Sequence, residues 1–158
     1  MTNALKVIEI ARKEVGTVES PPKSNKQKYG KELGCDGVFW CAIFITWVFI
    51  KAGLKIPKIS FSYCPDWVIW FKEMNRYYPS TIKPLLGDVV FFAFTDEGIK
   101  NNWAEHIGFV VSVNKDGSIN TLEANTSAGV GSQNNGDGVY PKIRRKPFIT
   151  GYGRPFYK

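Results

Sequence analysis

Cys41 opens the run Phe39-Trp40-Cys41-Ala42-Ile43-Phe44-Ile45-Thr46-Trp47-Val48-Phe49-Ile50-Lys51-Ala52-Gly53, which is apolar, of helical length, and stopped by a glycine. A thiol at the start of a helix meets backbone N–H groups that have no intrahelical partner and carry partial positive charge, a setting that stabilises an anion. Because the thiolate is the reactive form, such a placement lowers the thiol pKa and makes Cys41 a candidate nucleophile. Free cysteines also serve as small buried hydrophobes, so position alone does not decide. A cysteine nucleophile needs a base, and the base needs a third polar group to hold it in the right tautomer. His106 is the one histidine in the chain. After it come an apolar extended segment to Val113, an Asp-Gly turn in Asn114-Lys115-Asp116-Gly117, and a second segment, Ser118 to Glu123. Antiparallel pairing across that turn returns Glu123 and Asn125 towards His106. Thr121, Glu123 and Asn125 are expected on one strand face, since side chains alternate with period two. Glu123 is placed to accept from the imidazole. Asn125 either assists that orientation or donates to the oxyanion formed when an amide is attacked.

These residues need a frame. Ala4 to Val15 sets Ala4, Val7, Ile8, Ala11 and Val15 on one stripe and predicts an amphipathic first helix stopped at Gly16. Glu19 to Asn25 is turn-rich, and Lys26 to Leu33 predicts a short helix before Gly34. Past the Cys41 helix, Pro65-Asp66-Trp67 reads as the first turn of a helix that ends near Asn75. Tyr77-Tyr78-Pro79-Ser80 marks the change to extended patterning. Asp88 to Phe94 is a continuous apolar run, expected as a central strand covered on both faces; the His106 and Ser118 strands follow, then shorter strands at Val139–Ile143 and Phe148–Gly153. Helices first and strands afterwards argue for one α+β domain over residues 1–158, with N-terminal helices packed on a C-terminal antiparallel sheet.

Composition narrows the function classes. With 158 residues, 44% of them hydrophobic, the chain can bury a core of its own. Three cysteines close no disulfide framework, and the N-terminus lacks a signal peptide's apolar stretch, so synthesis in a reducing cytoplasm is expected. The longest apolar run, Val38 to Ile50, is too short to span a bilayer. A net charge of +7 favours polyanionic partners. The basic residues are scattered except in Lys142-Ile143-Arg144-Arg145-Lys146, read here as a solvated strand end, and no nucleic-acid recognition motif occurs. Cys35, Cys41 and Cys64 lack the short paired spacing of a structural zinc site, so neither a metal nor a cofactor is expected.

Taken together, Trp40-Cys41-Ala42, Gly87-Asp88-Val89-Val90-Phe91-Phe92, His106-Ile107-Gly108-Phe109-Val110, Glu123-Ala124-Asn125-Thr126 and Ile149-Thr150-Gly151-Tyr152-Gly153-Arg154-Pro155 resemble a CHAP domain. This is the cysteine- and histidine-dependent amidohydrolase/peptidase family of the NlpC/P60-type papain-like superfamily. The resemblance implies a papain-like α+β fold and a hydrolase of peptidoglycan amide bonds, either an endopeptidase or an N-acetylmuramoyl-L-alanine amidase, often a phage lysin or an autolysin. It also implies roles: Cys41 as nucleophile, His106 as base and later acid, Glu123 as orienting group, Asn125 as fourth polar member.

Candidate groove walls are the loop before the nucleophile (Asp36, Phe39, Trp40), the loop before the base (Trp103, Glu105) and the Gly/Asn/Ser-rich loop from Thr126 to Gly138. The expected partner is bacterial peptidoglycan, with anionic wall polymers as secondary contacts, and the chain is expected to act as a monomer. Without a signal peptide or a following wall-binding repeat, a phage lysin, released to the wall or carried on a particle, fits better than a secreted autolysin. Calcium is not expected, because Gln27 to Trp40 offers only Glu32 and Asp36 as carboxylates. The competing reading is a non-catalytic basic module that adheres to anionic wall polymer.

Overall fold

The computed structural model describes residues 3–58, 62–129 and 135–157. In chain order the helices are α1 (Asn3–Arg12), α2 (Lys28–Leu33), α3 (Cys41–Ala52), α4 (Cys64–Glu73) and α5 (Asp96–Asn101). The strands are β1 (Tyr77–Pro79), β2 (Val89–Phe92), β3 (His106–Val113), β4 (Ile119–Thr126), β5 (Gly138–Arg144) and β6 (Ile149–Gly153). The strands form one six-stranded sheet in the order β1-β6-β2-β3-β4-β5, every pairing antiparallel. The α+β class is as expected.

α3 is the centre of the helical layer. All its residues are buried except Ile50 and Lys51, as its unbroken apolar sequence requires. Phe44 and Phe49 both meet Phe109 of β3, while Tyr29 of α2 packs against Trp40, Phe44 and Trp47. Removing a ring such as Phe109 costs about 3–5 kcal/mol, so the helix bearing Cys41 is rigidly seated on the sheet. Gly53 ends it in the left-handed conformation, its N–H bonded to the carbonyls of Phe49 and Ile50.

α1 ends at Arg12 rather than Val15. The chain after it turns, with Glu14 drawn inward to accept from Tyr29 (2.7 Å) and pair with Lys28 (2.6 Å), and the Gly16 N–H donating to the Val139 carbonyl. β2 is fully buried and central, as its sequence predicts. Val89 and Phe91 join the helix-side core, whereas Val90 and Phe92 join a smaller cluster with Val110, Ile119, Ile149 and Tyr152. α5 is an addition to the expected elements. Six residues with one large apolar side chain carry no periodicity, but Thr95 caps them by accepting from the Gly98 N–H.

The Gly87-Asp88 and Gly153-Arg154-Pro155 stretches meet. Arg154 donates through Nε and Nη2 to the two oxygens of buried Asp88 at 2.9 and 2.8 Å, and the Tyr157 hydroxyl donates to the Gly87 carbonyl at 2.6 Å. The outer strand β5 is partly covered at its start, where the Gly16–Glu19 stretch bonds to Asp137 and Val139.

Candidate active site

Cys41 is the first residue of α3 and keeps only 3% of its surface exposed. The preceding residue, Trp40, places no side-chain cap on the helix start, so the helix N–H groups stay available to the sulfur; that of Ala42 stabilises the thiolate. A second sulfur lies 3.5 Å away, that of Cys64 at the start of α4.

His106 begins β3, opposite Phe92 at the end of the β2–β3 ladder. Its Nε2 lies 2.9 Å from Glu123 Oε2. Glu123 sits across from Gly108, not from His106, so its side chain must run diagonally over the sheet. Gly108 leaves the room for it: a Cβ there would stand 2.6 Å from Glu123 Cγ. The carboxylate is held from the other side by Arg144 of β5, whose Nε and Nη2 donate to Oε1 and Oε2 at 2.9 and 2.6 Å, while the Thr121 hydroxyl donates to Oε1 at 2.5 Å. The Arg144 guanidinium stacks over Phe92 and Phe94, and the same two rings flank His106 at 5.8 and 5.9 Å between centroids. His106, Glu123 and Arg144 thus form a buried chain clamped by two aromatic rings.

The electrostatics follow from this chain. Burial alone would raise the Glu123 pKa, but the Arg144 fork and then His106 outweigh it and hold the carboxyl down to about 2. Burial would depress His106, yet Cys41 and Glu123 raise it to about 9. The Cys41 thiol is held well below the ordinary thiol range by the S–H of Cys64, against burial, with further help from His106. Cys64 is pushed the opposite way, by Cys41 and by burial. Both shifts run in the direction that favours a thiolate paired with an imidazolium. Nδ1 of His106, the ring nitrogen that Glu123 leaves free, is buried and closes no hydrogen bond among the described residues. It is the nitrogen left to serve the sulfur.

Asn125 lies at the bulge where the β4–β5 register shifts, with φ +55°, so the simple alternation that would align it with Glu123 does not apply. Its side chain is fully buried and neither amide atom has a hydrogen-bond partner among the described residues, an uncommon state for a buried amide.

The candidate groove residues divide. Phe39 and Trp103 are half exposed, at 51% and 50%, and Trp103 meets the exposed Tyr63 edge-on at 6.3 Å between centroids. Trp40 has no exposed surface and belongs to the core against Tyr29. Asp36 accepts from the Gln27 N–H at 3.0 Å. Glu105 accepts from the N–H groups of Phe94 and Thr95 and from the Thr95 hydroxyl, fastening the start of α5. At the long loop, Lys142 is drawn inward to donate to the carbonyls of Ser127 and Gly129. Residues 130–134 of that loop lie outside the described residues.

Three residues here escape sequence reasoning. Arg144 hides inside a basic cluster that reads as solvated, and Cys64 meets Cys41, and Tyr63 meets Trp103, only through the tertiary fold. The alternation of buried Lys142 and Arg144 with exposed Ile143 is visible in hindsight as a period-two signal. Of the two carboxylates in the stretch before the nucleophile, Glu32 accepts from Trp47 and pairs with Lys51, and Asp36 accepts from the Gln27 N–H at the start of α2. Among the described residues no group of three or more His, Cys, Asp or Glu could hold a metal ion.

The family model of the CHAP domain matches residues 34–125, more than half of the chain and a span that contains Cys41, His106, Glu123 and Asn125. No curated protein matches the chain.

Proposed function

Because the chain belongs to the CHAP domain family, the cysteine- and histidine-dependent amidohydrolase/peptidase domains of the NlpC/P60-like superfamily, we propose that it hydrolyses an amide bond of bacterial peptidoglycan with Cys41 as nucleophile. The observation that carries this reading is the buried Glu123–His106 contact at 2.9 Å beside a thiol at a helix start. The Cys41 thiolate attacks the amide carbon, and the carbonyl oxygen becomes an oxyanion. The imidazolium of His106 gives its proton to the leaving nitrogen, the C–N bond breaks, and an acyl thioester remains on Cys41. Neutral His106 then takes a proton from water as the oxygen attacks the thioester, and the thiolate is regenerated. Glu123 acts as a positioning residue: it fixes the imidazole through Nε2 and stabilises its charged form. The unpartnered amide of Asn125 is available to orient the imidazole or to donate to the oxyanion. Exposed Phe39, Tyr63 and Trp103 offer apolar surface to the substrate.

We extend the reading to a lysin of the phage type, reaching the wall after release or on a particle; its charge of +7 suits anionic wall polymer. The test is mass spectrometry of purified walls after digestion. New amino groups on stem or cross-bridge residues identify an endopeptidase, and intact stem peptides released from unmodified glycan identify an amidase. Cleaved sugar linkages alone, or walls bound but unaltered, overturn the proposal.

A further inference from the structure

Cys64 is spent on no step of the hydrolysis, yet its sulfur lies 3.5 Å from the nucleophile's. All three cysteines are free, but only these two are buried, each on the first residue of a helix. A sulfur–sulfur bond measures about 2.05 Å, so joining the two asks for an approach of roughly 1.5 Å. We propose that Cys41 and Cys64 are a redox pair: a hydroperoxide oxidises Cys41, and Cys64 captures the product as an intramolecular disulfide that switches the nucleophile off reversibly.

The Cys41 thiolate attacks the terminal oxygen of the hydroperoxide. The O–O bond breaks, Cys41 becomes a sulfenic acid, and the departing oxyanion takes a proton and leaves as an alcohol, or as water when the oxidant is hydrogen peroxide. Cys64 then attacks the Cys41 sulfur and loses its proton. The S–O bond breaks, and the expelled hydroxide takes up that proton as water. Two electrons pass from the thiol pair to the peroxide, and a dithiol returns them by exchange. The pair has a built-in order. Cys41 holds the negative charge that makes it the first to react, and the same charge keeps the proton on Cys64. Oxidation of Cys41 removes that charge and frees Cys64 to respond. Without a neighbouring thiol, a sulfenic acid goes on to sulfinic and sulfonic acids, which dithiols do not reduce.

The proposal takes Cys41 as the nucleophile of the hydrolase, but its test reads mass rather than lysis. The folded protein is treated with hydrogen peroxide near equimolar, its remaining thiols are alkylated under denaturing conditions, and the digest is analysed. A linked peptide pair containing Cys41 and Cys64 is expected, lost after dithiothreitol, while Cys35 is recovered alkylated. In Cys64→Ala, with folding checked by circular dichroism, Cys41 is expected to gain two or three oxygens that dithiothreitol does not remove. Absence of the 41–64 linkage, with Cys41 overoxidised as fast in the unmodified protein as in the variant, overturns the proposal. The linkage in the unmodified chain stands as a test even if the variant fails to fold. A linked pair after peroxide in a protein that, fully reduced, leaves walls intact sinks the hydrolase reading alone, and lysis by the reduced protein with no linkage after peroxide sinks the redox pair alone.

Discussion

At the scale of single residues, Cys64 and the buried chain Arg144–Glu123–His106 together bear on the state of Cys41. Cys41→Ala is expected to abolish wall lysis with the fold retained, and His106→Ala nearly so, because the chain has no other histidine. Glu123→Gln keeps shape but gives up charge, and should lower the rate about 10²-fold to 10⁴-fold. The ion pair has a signature in pH. Cys41 is a thiolate well below its ordinary range, and His106 keeps its proton up to about 9. Iodoacetamide should therefore alkylate Cys41 at a rate already level at neutral pH, and lysis should fall as pH rises through about 9; alkylation that climbs only near the ordinary thiol range would show that no ion pair forms. Arg144 is a positioning residue one step removed. Arg144→Met leaves Glu123 buried with only His106 and Thr121 as partners, which costs about 1–3 kcal/mol, lets the carboxyl pKa rise, and moves the acid limb of the lysis profile to higher pH. A loss of stability with that limb unmoved would make Arg144 structural only. The placement of Cys41 at a helix start and the approach of Glu123 to His106 were legible in the sequence, because an apolar run begins at that cysteine, histidine occurs once, and a turn brings the two strands of the hairpin together. Arg144 was not, because its partner lies across a strand pair that only the folded sheet defines.

At the scale of elements, the β3–β4 hairpin does its work by what it omits. Gly108 faces Glu123 so closely that any side chain would displace it. Gly108→Ala should cost activity as Glu123→Gln does, with Cys41 and His106 untouched, and full activity in that variant would mean Glu123 reaches His106 by another path. Glu105 offers a sharper division between two roles. Its carboxylate is taken up by Thr95 and two backbone N–H groups, so Glu105→Ala should lower thermal stability by about 1–3 kcal/mol. Unchanged melting with weakened lysis would return Glu105 to the substrate groove. The long helix, the central strand and the hairpin were readable from period and turn chemistry. α5 was not, since six mostly polar residues carry a cap and little else, and the bulge that reorients Asn125 breaks the alternation on which strand-face reasoning depends.

At the scale of the whole molecule, two stretches far apart in sequence close the sheet: Asp88 at the head of β2 and Arg154 beyond β6. Asp88→Asn should destabilise the fold by about 3 kcal/mol, less than a fully buried pair because Arg154 keeps 19% of its side chain exposed; an unchanged melting temperature would show that the surrounding backbone bonds suffice. The carboxylates of Glu32 and Asp36 are both engaged in holding helices, so EDTA should leave lysis intact, and a loss restored by calcium alone would locate a site elsewhere. The outer strand β5 carries one more implication. An unpaired strand edge invites a neighbouring chain to dock and begin a fibril, and proteins blunt that invitation with prolines and inward charges. Here the stretch after α1 covers the first part of the edge, Pro141 removes an N–H from the next, and Lys142 and Arg144 turn their charges inward. The cation that keeps Glu123 ionised is thus also a guard against aggregation, and a variant lacking it should aggregate more readily on heating than the unmodified chain.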